Sequence, residues 1–467
     1  MTSEQSIVSK VEDENGRQYT LSGKSWTGGQ GQVVVDSTGK YIIKLSKKRS
    51  SESREKIRQQ IQRVRLMPID DLPVTRPLAL LRPPFVGYVM EYLTGMEPIQ
   101  NLMKPSKEIW EDSDKLLSWY NKSGGLKRRL DILAKLATIL YRLHSKGLSY
   151  GDLSPNNVFV SSSVEQSQVY LIDIDNLNYE SSAGGSFIQT GFYSAPEVIT
   201  LKHGVDTLSD AYSFSVIAFE TLTLCHPLLG DYVVYGDPDL EYKAQIGEIP
   251  WIFHSCDDSN FSSHVLPKEL VLSDGLIKLF QSNFEEGMTN PKERPGMKLW
   301  ERALHTAERF TLVCPNCHGS YYHRNSICPW CKSNRPSFLI GAVDDHVIFI
   351  DSEANHFRTN INKNESGFCV QYPSKFAINR RLLGFNDVNA EKTIIELNID
   401  ENLLVQVRNL EDQECWAVHE DWKYEDGIDN GKKKIKITSS PQVIPWTWQI
   451  HIGSLTRTHP AIRFIRK

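Results

Sequence analysis

The 467-residue sequence predicts an α+β chain in three parts: a large mixed region, a short cysteine segment and an all-β tail. Three observations carry this. Apolar strand runs give way to helical stripes over residues 15–308. Two CxxC pairs sit close together within 311–337. Short alternating runs divided by turn signals fill 338–467. The length suits several domains, and a net charge of −4 gives no global attraction to nucleic acid or to an anionic membrane.

The mixed region opens with strand runs at Gln32–Val35, Tyr41–Leu45 and Val86–Tyr92. A helix is expected over Ser50–Met67. Leu126–His144 places Leu130, Leu133, Leu136, Ala137, Leu140 and Leu143 on one stripe, which predicts a half-buried helix. Asp210–Leu224 is apolar nearly all round, which predicts a central one. In the tail, His346–Ile350, Thr393–Leu397, Lys434–Ile437 and Trp446–Ile452 read as strands. Its aromatics Trp416, Trp422, Trp446 and Trp448 are expected to fill a small β core.

Chemistry-bearing residues punctuate these elements. Gly28-Gly29-Gln30-Gly31-Gln32-Val33 lets the backbone approach phosphate oxygens with its N–H groups; a hairpin tip would read the same way. Lys44 lies within the apolar strand that follows. A buried lysine needs an anion, and a strand returning under the glycine loop would aim it at the same phosphates. After the amphipathic helix comes Tyr150-Gly151-Asp152-Leu153-Ser154-Pro155-Asn156-Asn157, where Pro155 enforces a loop. An aspartate there can take a hydroxyl proton, and an asparagine oxygen suits Mg²⁺. The strand Val169–Ile172 then ends in Asp173 and Asp175.

Cys314-Pro-Asn-Cys317 and Cys328-Pro-Trp-Cys331, ten residues apart, match a tetrahedral four-thiolate zinc site with no open position, so the ion is expected to be structural Zn²⁺. A redox dithiol is the weaker alternative, because no βαβ context surrounds the pairs. The four other cysteines are scattered, the N-terminus is polar and no long apolar run exists. A cytoplasmic chain without membrane or nucleic-acid partners is expected.

Taken in order, the glycine loop, Lys44, the loop around Asp152 and Asn157, Asp173, Ser194-Ala195-Pro196-Glu197, the helix start at Asp210 and Arg294 resemble the eukaryotic-type Ser/Thr protein kinases in their divergent bacterial form. That resemblance implies a bilobal fold, with an N-lobe over 15–92 and a C-lobe over 96–308. It implies ATP with Mg²⁺ or Mn²⁺ in the cleft and phosphoryl transfer to Ser or Thr of a protein substrate. Asp152 would be the base, Asn157 and Asp173 the metal ligands, and Lys44 the phosphate contact. Gly28, Gly29, Gly31 and Val33 would cover the nucleotide, and Glu91 and Leu93 of the Met90–Leu93 hinge would hold adenine. Glu55 would pair with Lys44, Glu197 with Arg294, and Asp210 would brace the C-lobe.

Departures accompany these matches. Trp26 replaces the first loop glycine, Gly151 an arginine, Ser154 a lysine, and Asp175 the glycine after the metal aspartate. Asp175 could add a metal contact or cap the next turn. Without an arginine before Asp152, a loop phosphate lacks its docking charge, so activity independent of phosphorylation at Ser181, Ser182, Ser186 or Thr190 is expected. The alternatives are a nucleotide-binding pseudokinase scaffold and a small-molecule phosphotransferase. By analogy alone, kinases of this build suggest a cognate phosphatase and a von Willebrand A-type protein as partners. The zinc ribbon and the β tail are expected to dock partner or substrate.

Overall fold

The computed structural model describes residues 10–27, 31–47, 50–180, 191–348, 358–359, 367–385, 389–419, 434–455 and 459–467. Gly28, Gly29, Trp422, both tail turn signals and the four candidate loop phosphosites lie outside them. The chain forms two compact units, Met1–Leu304 and His305–Lys467.

The first unit opens with β1 (Lys10–Glu12), β2 (Gln18–Thr27), β3 (Gly31–Asp36), β4 (Tyr41–Ser46), helix α1 (Ser51–Arg65), β5 (Ala79–Leu80) and β6 (Gly87–Glu91). The strands form one antiparallel sheet in the order β1-β2-β3-β4-β6-β5. A bridge between Asp13 and Leu81 brings its two ends together, so the sheet curls. Alternation along β4 and β6 makes two faces. Ile43 and Val89 pack on one with Val11 and Tyr19. Tyr88 and Met90 pack on the other against Ile57 and Ile61 of α1. Gly87 is fixed by close approach: a Cβ there would lie 1.9 Å from the Lys44 carbonyl oxygen.

Helices dominate the remainder of this unit. Helix α2 (Gly125–His144) buries the predicted leucine stripe. Helix α3 (Thr207–Thr223) is buried over nearly its whole length, as its all-round apolar sequence requires. Asp206 and Ser209 cap it reciprocally. Phe219 on α3 meets Phe280 and Trp251 edge-on at 5.2 and 5.6 Å between ring centres, which anchors the helix in the core.

In the second unit, short strands Thr311–Val313 and Ser320–Tyr322 pair ahead of two larger sheets. A seven-stranded sheet is built around Phe338–Ile348, which pairs with both Gly367–Gln371 and His459–Arg466. A four-stranded sheet runs Ser374–Asn379, Thr393–Ile399, Leu404–Asn409, Gln442–Pro445. Leu339, Val370, Ile395, Val407, Ile450 and Ile462 from the two sheets share one core. Trp446 and Trp448 pack against that core. The run Trp446–Ile452 is not one strand. The Trp448 N–H bonds the Pro445 carbonyl at 3.1 Å, a turn, and the strand begins at Gln449.

Candidate active site

Strand register sets the first half of the site. Lys44 lies opposite Val33 on β3 and opposite Tyr88 on β6. Directly paired residues share a face, so Lys44 stands between the two on the α1 side of the sheet. The strand Val169–Leu171 delivers the second half. Asp173 follows it with φ at 57°, in the left-handed region, and the chain turns there into the short helix Ile174–Asn176. That turn presents both carboxylates to one amine. Lys44 Nζ contacts Asp173 Oδ1, and its distance to Asp175 Oδ2 is 2.7 Å. Burial alone would lower the Lys44 pKa. The Asp175 and Asp173 carboxylates outweigh it and hold the ammonium above the ordinary lysine value.

The loop beside Asp173 is braced from below. Asp210, in the first turn of α3, is fully buried and accepts from the N–H groups of Tyr150 and Gly151 at 2.6 and 2.9 Å. His144 Nε2 lies 3.1 Å from the same carboxylate. The Tyr150 hydroxyl donates to the Ile172 carbonyl, tying the loop to the strand before Asp173. Asn157 Nδ2 donates to the Asp152 carbonyl at 2.9 Å, which leaves its amide oxygen as the available acceptor. Gly151 has φ at 85°, and a Cβ there would meet the Asn176 carbonyl oxygen at 3.2 Å. Further out, Arg294 makes a two-pronged pair with Glu197, both bonds 2.7 Å, and fixes the segment that starts at Ser194.

A family model described as "Protein kinase domain" matches residues 27–301, more than half of the chain. The chain belongs to the protein kinase family. Ribosomal protein S6 kinase alpha-3 of Homo sapiens is 28% identical over 200 residues, 42% of this chain and 24% of that protein. The protein of that name from Mus musculus matches to the same extent. Serine/threonine-protein kinase pkn2 of Myxococcus xanthus is 36% identical over 102 residues, 21% of this chain and 12% of that protein. The chain thus spans a quarter or less of the length of these relatives.

Protein kinase domains use ATP and magnesium, and the donor set here fits both. Asp173, Asp175 and the Asn157 amide offer hard oxygens, and the Lys44 ammonium stands beside them. Gly31 has a structural reason of its own, since a Cβ would lie 2.3 Å from the Leu45 carbonyl oxygen. Glu91 ends β6 exposed, and the neighbouring Tyr92 N–H bonds the Lys40 carbonyl at 3.0 Å. Leu93 follows, half-buried.

One expectation fails within the kinase domain. Glu55 is exposed, accepts from Gln59 Nε2 at 3.0 Å, and is not brought to Lys44. Its phase on α1 is the reason. Ile57 and Ile61 take the sheet-facing stripe, and Gln60 points to the cleft, where its Nε2 donates to the Asp175 carbonyl at 2.8 Å. Glu55 lies five residues from Gln60, about 140° around the helix. Sequence reasoning also passed over Tyr88, whose hydroxyl donates to Asp175 Oδ1, and Tyr150. Alternation back from Met90 puts Tyr88 on the Lys44 face, so a signal for it existed.

In the second unit, the sulfurs of Cys314, Cys317, Cys328 and Cys331 all lie within 4.8 Å of one another. The Cys314–Cys331 and Cys317–Cys328 separations are 3.6 and 3.7 Å. Tetrahedral zinc with bonds of about 2.3 Å requires sulfurs about 3.8 Å apart. The two halves repeat each other. The N–H groups of His318 and Lys332 bond the carbonyls of Cys314 and Cys328, both at 2.9 Å, and both residues take a left-handed φ. The Ser333 hydroxyl lies 3.1 Å from the sulfurs of Cys314 and Cys331, and with the Ser333 backbone N–H it draws the Cys331 thiol down to about 5. A thiol held as thiolate is ready for metal. Cys314 and Cys328 also share an apolar cluster with Phe338 and Cys369, so the cysteine segment and the β strands have a common core.

Proposed function

We propose that the chain is an ATP-dependent protein serine/threonine kinase. The observation that carries this is the convergence of strand, loop and turn on one point. Lys44 meets Asp173, and Asn157 is bonded to the backbone of Asp152. In this reading Asp152 accepts the proton of the incoming hydroxyl, while Lys44 steadies the phosphates. Asn157 and Asp173 hold magnesium, which neutralises charge on the transferring group. Gly28, Gly29, Gly31 and Val33 cover the nucleotide, and the Glu91 and Leu93 backbone receives adenine. Asp210 and the Glu197–Arg294 pair hold the loop and the 194–197 segment in place. That segment walls the recess beside Asp152 with Tyr193, Ser194 and Ala195, which favours a peptide over a small-molecule acceptor.

A scaffold that binds nucleotide without transferring phosphate is the second reading. Ser154, 2% exposed, supports it, because no lysine stands there to neutralise the γ-phosphate. Radiolabelled ATP with magnesium or manganese separates the two. Label transferred to the chain itself or to a general protein acceptor, and lost in Asp152→Ala, is expected. ATP binding with no transfer by the unmodified chain would leave the scaffold standing. The four-cysteine site is proposed to hold structural zinc. The second unit is proposed to dock substrate or partner, by analogy a phosphatase or a von Willebrand A-type protein.

A further inference from the structure

We propose that Asp175, and not a glutamate of α1, anchors Lys44 for the nucleotide. The proposal rests on the reading of this cleft as an ATP site and names a positioning residue within it.

Asp175 is fixed at three points. Its Oδ2 lies 2.7 Å from Lys44 Nζ, its Oδ1 accepts from the Tyr88 hydroxyl, and its carbonyl accepts from Gln60 Nε2 at 2.8 Å. Both carboxylate oxygens are therefore committed within the protein. Binding a metal would cost the buried Tyr88 hydroxyl its acceptor, since Tyr88 is only 3% exposed. Asp173 differs. Its side chain is 31% exposed, against 19% for Asp175, and Lys44 holds only its Oδ1. When Asp173 turns to a cation, Asp175 is the carboxylate that stays on the lysine.

Helix α1 offers no substitute. Its two acids are spent at the surface, Glu52 on Lys56 at 2.7 Å and Glu55 on Gln59 at 3.0 Å. The residue on its cleft face is the neutral Gln60, which bonds a backbone carbonyl. The lysine is thus held by the same turn that carries Asp173. Moving α1 would break the Gln60 bond but would leave the ion pair whole.

The test is ATP binding by the full chain, measured by equilibrium dialysis in magnesium and again in EDTA. Asp175→Asn is expected to weaken binding about tenfold in both buffers, as for a buried charged partner. Joined to Lys44→Met it adds nothing beyond Lys44→Met alone, because one residue acts through the other. Glu52→Gln with Glu55→Gln stays within about twofold of the unmodified chain. Tyr88→Phe, which keeps the carboxylate and removes one of its fixings, gives a smaller loss of the same kind and serves if Asp175→Asn does not fold. A loss confined to the magnesium buffer would make Asp175 a metal ligand and overturn the proposal. So would a loss in the α1 variant with none in Asp175→Asn. If the unmodified chain bound no ATP, the functional reading would fail instead. The same Lys44–Asp175 cycle read on the thermal midpoint of the nucleotide-free chain would still decide the pairing, non-additive effects supporting it and additive ones ending it.

Discussion

At the scale of single residues, the site separates binding from transfer. Lys44 and Asp173 meet each other directly, whereas Asp152 contributes its carbonyl to the network through Asn157. Asp152→Asn is therefore expected to lower phosphoryl transfer at least ~100-fold while ATP affinity stays within about twofold, as for loss of a general base. Steady-state kinetics beside dialysis measures both. Replacing Ser181, Ser182, Ser186 and Thr190 together by Ala is expected to leave the transfer rate within about threefold, since no arginine precedes Asp152 to receive a loop phosphate. A larger loss would mean that another cation takes that role.

At the scale of elements, two buried features make separate predictions. The Arg294 side chain is fully buried and that of Glu197 nearly so. Arg294→Met leaves an unpaired buried carboxylate and is expected to cost about 3–5 kcal/mol in denaturant unfolding. His226 gives a pH dependence. Its Nδ1 accepts from the Leu228 N–H and its Nε2 donates to the Phe192 carbonyl, both at 3.2 Å, a neutral ring with both nitrogens used. Burial, opposed by the Phe192 bond, brings its pKa down to about 4. An unfolded histidine takes its proton near pH 6.5, so between those values the unfolded chain holds more protons. Stability of the first unit is full above about pH 6.5 and falls by about 3 kcal/mol as pH drops to 4. His226→Gln is expected to flatten that acid limb in urea titrations at fixed pH.

Elements are also where legibility in the sequence varied most. Lys44, Asp173, Asp210 and the Glu197–Arg294 pair could be found because motif order and strand pattern are local properties. The partner of Lys44 could not. Which face of α1 meets the cleft is settled by Ile57 and Ile61 packing on Tyr88 and Met90, contacts from far along the chain. The turn at Pro445–Trp448 was hidden for a similar reason, because apolar residues that fill a core look alike in strands and bends.

At the scale of the molecule, each unit carries its own core, and the second builds part of its core from the cysteine site. Purified chain is expected to contain about one zinc ion, and Cys317→Ser to contain little, by elemental analysis. Stripping the metal with a chelator removes a brace that shares Phe338 and Cys369 with the β strands, so the melting of the second unit is expected to fall by roughly 10 °C or more. Gly151 has a reach beyond its own loop. Left-handed backbone costs a side-chain-bearing residue roughly 1–2 kcal/mol, which makes such a position a spring that a switch can set or release. With glycine at φ 85° there is no spring to trip. The loop beside Asp152 is a fixed bracket, and control of this molecule falls to whatever reaches its cleft.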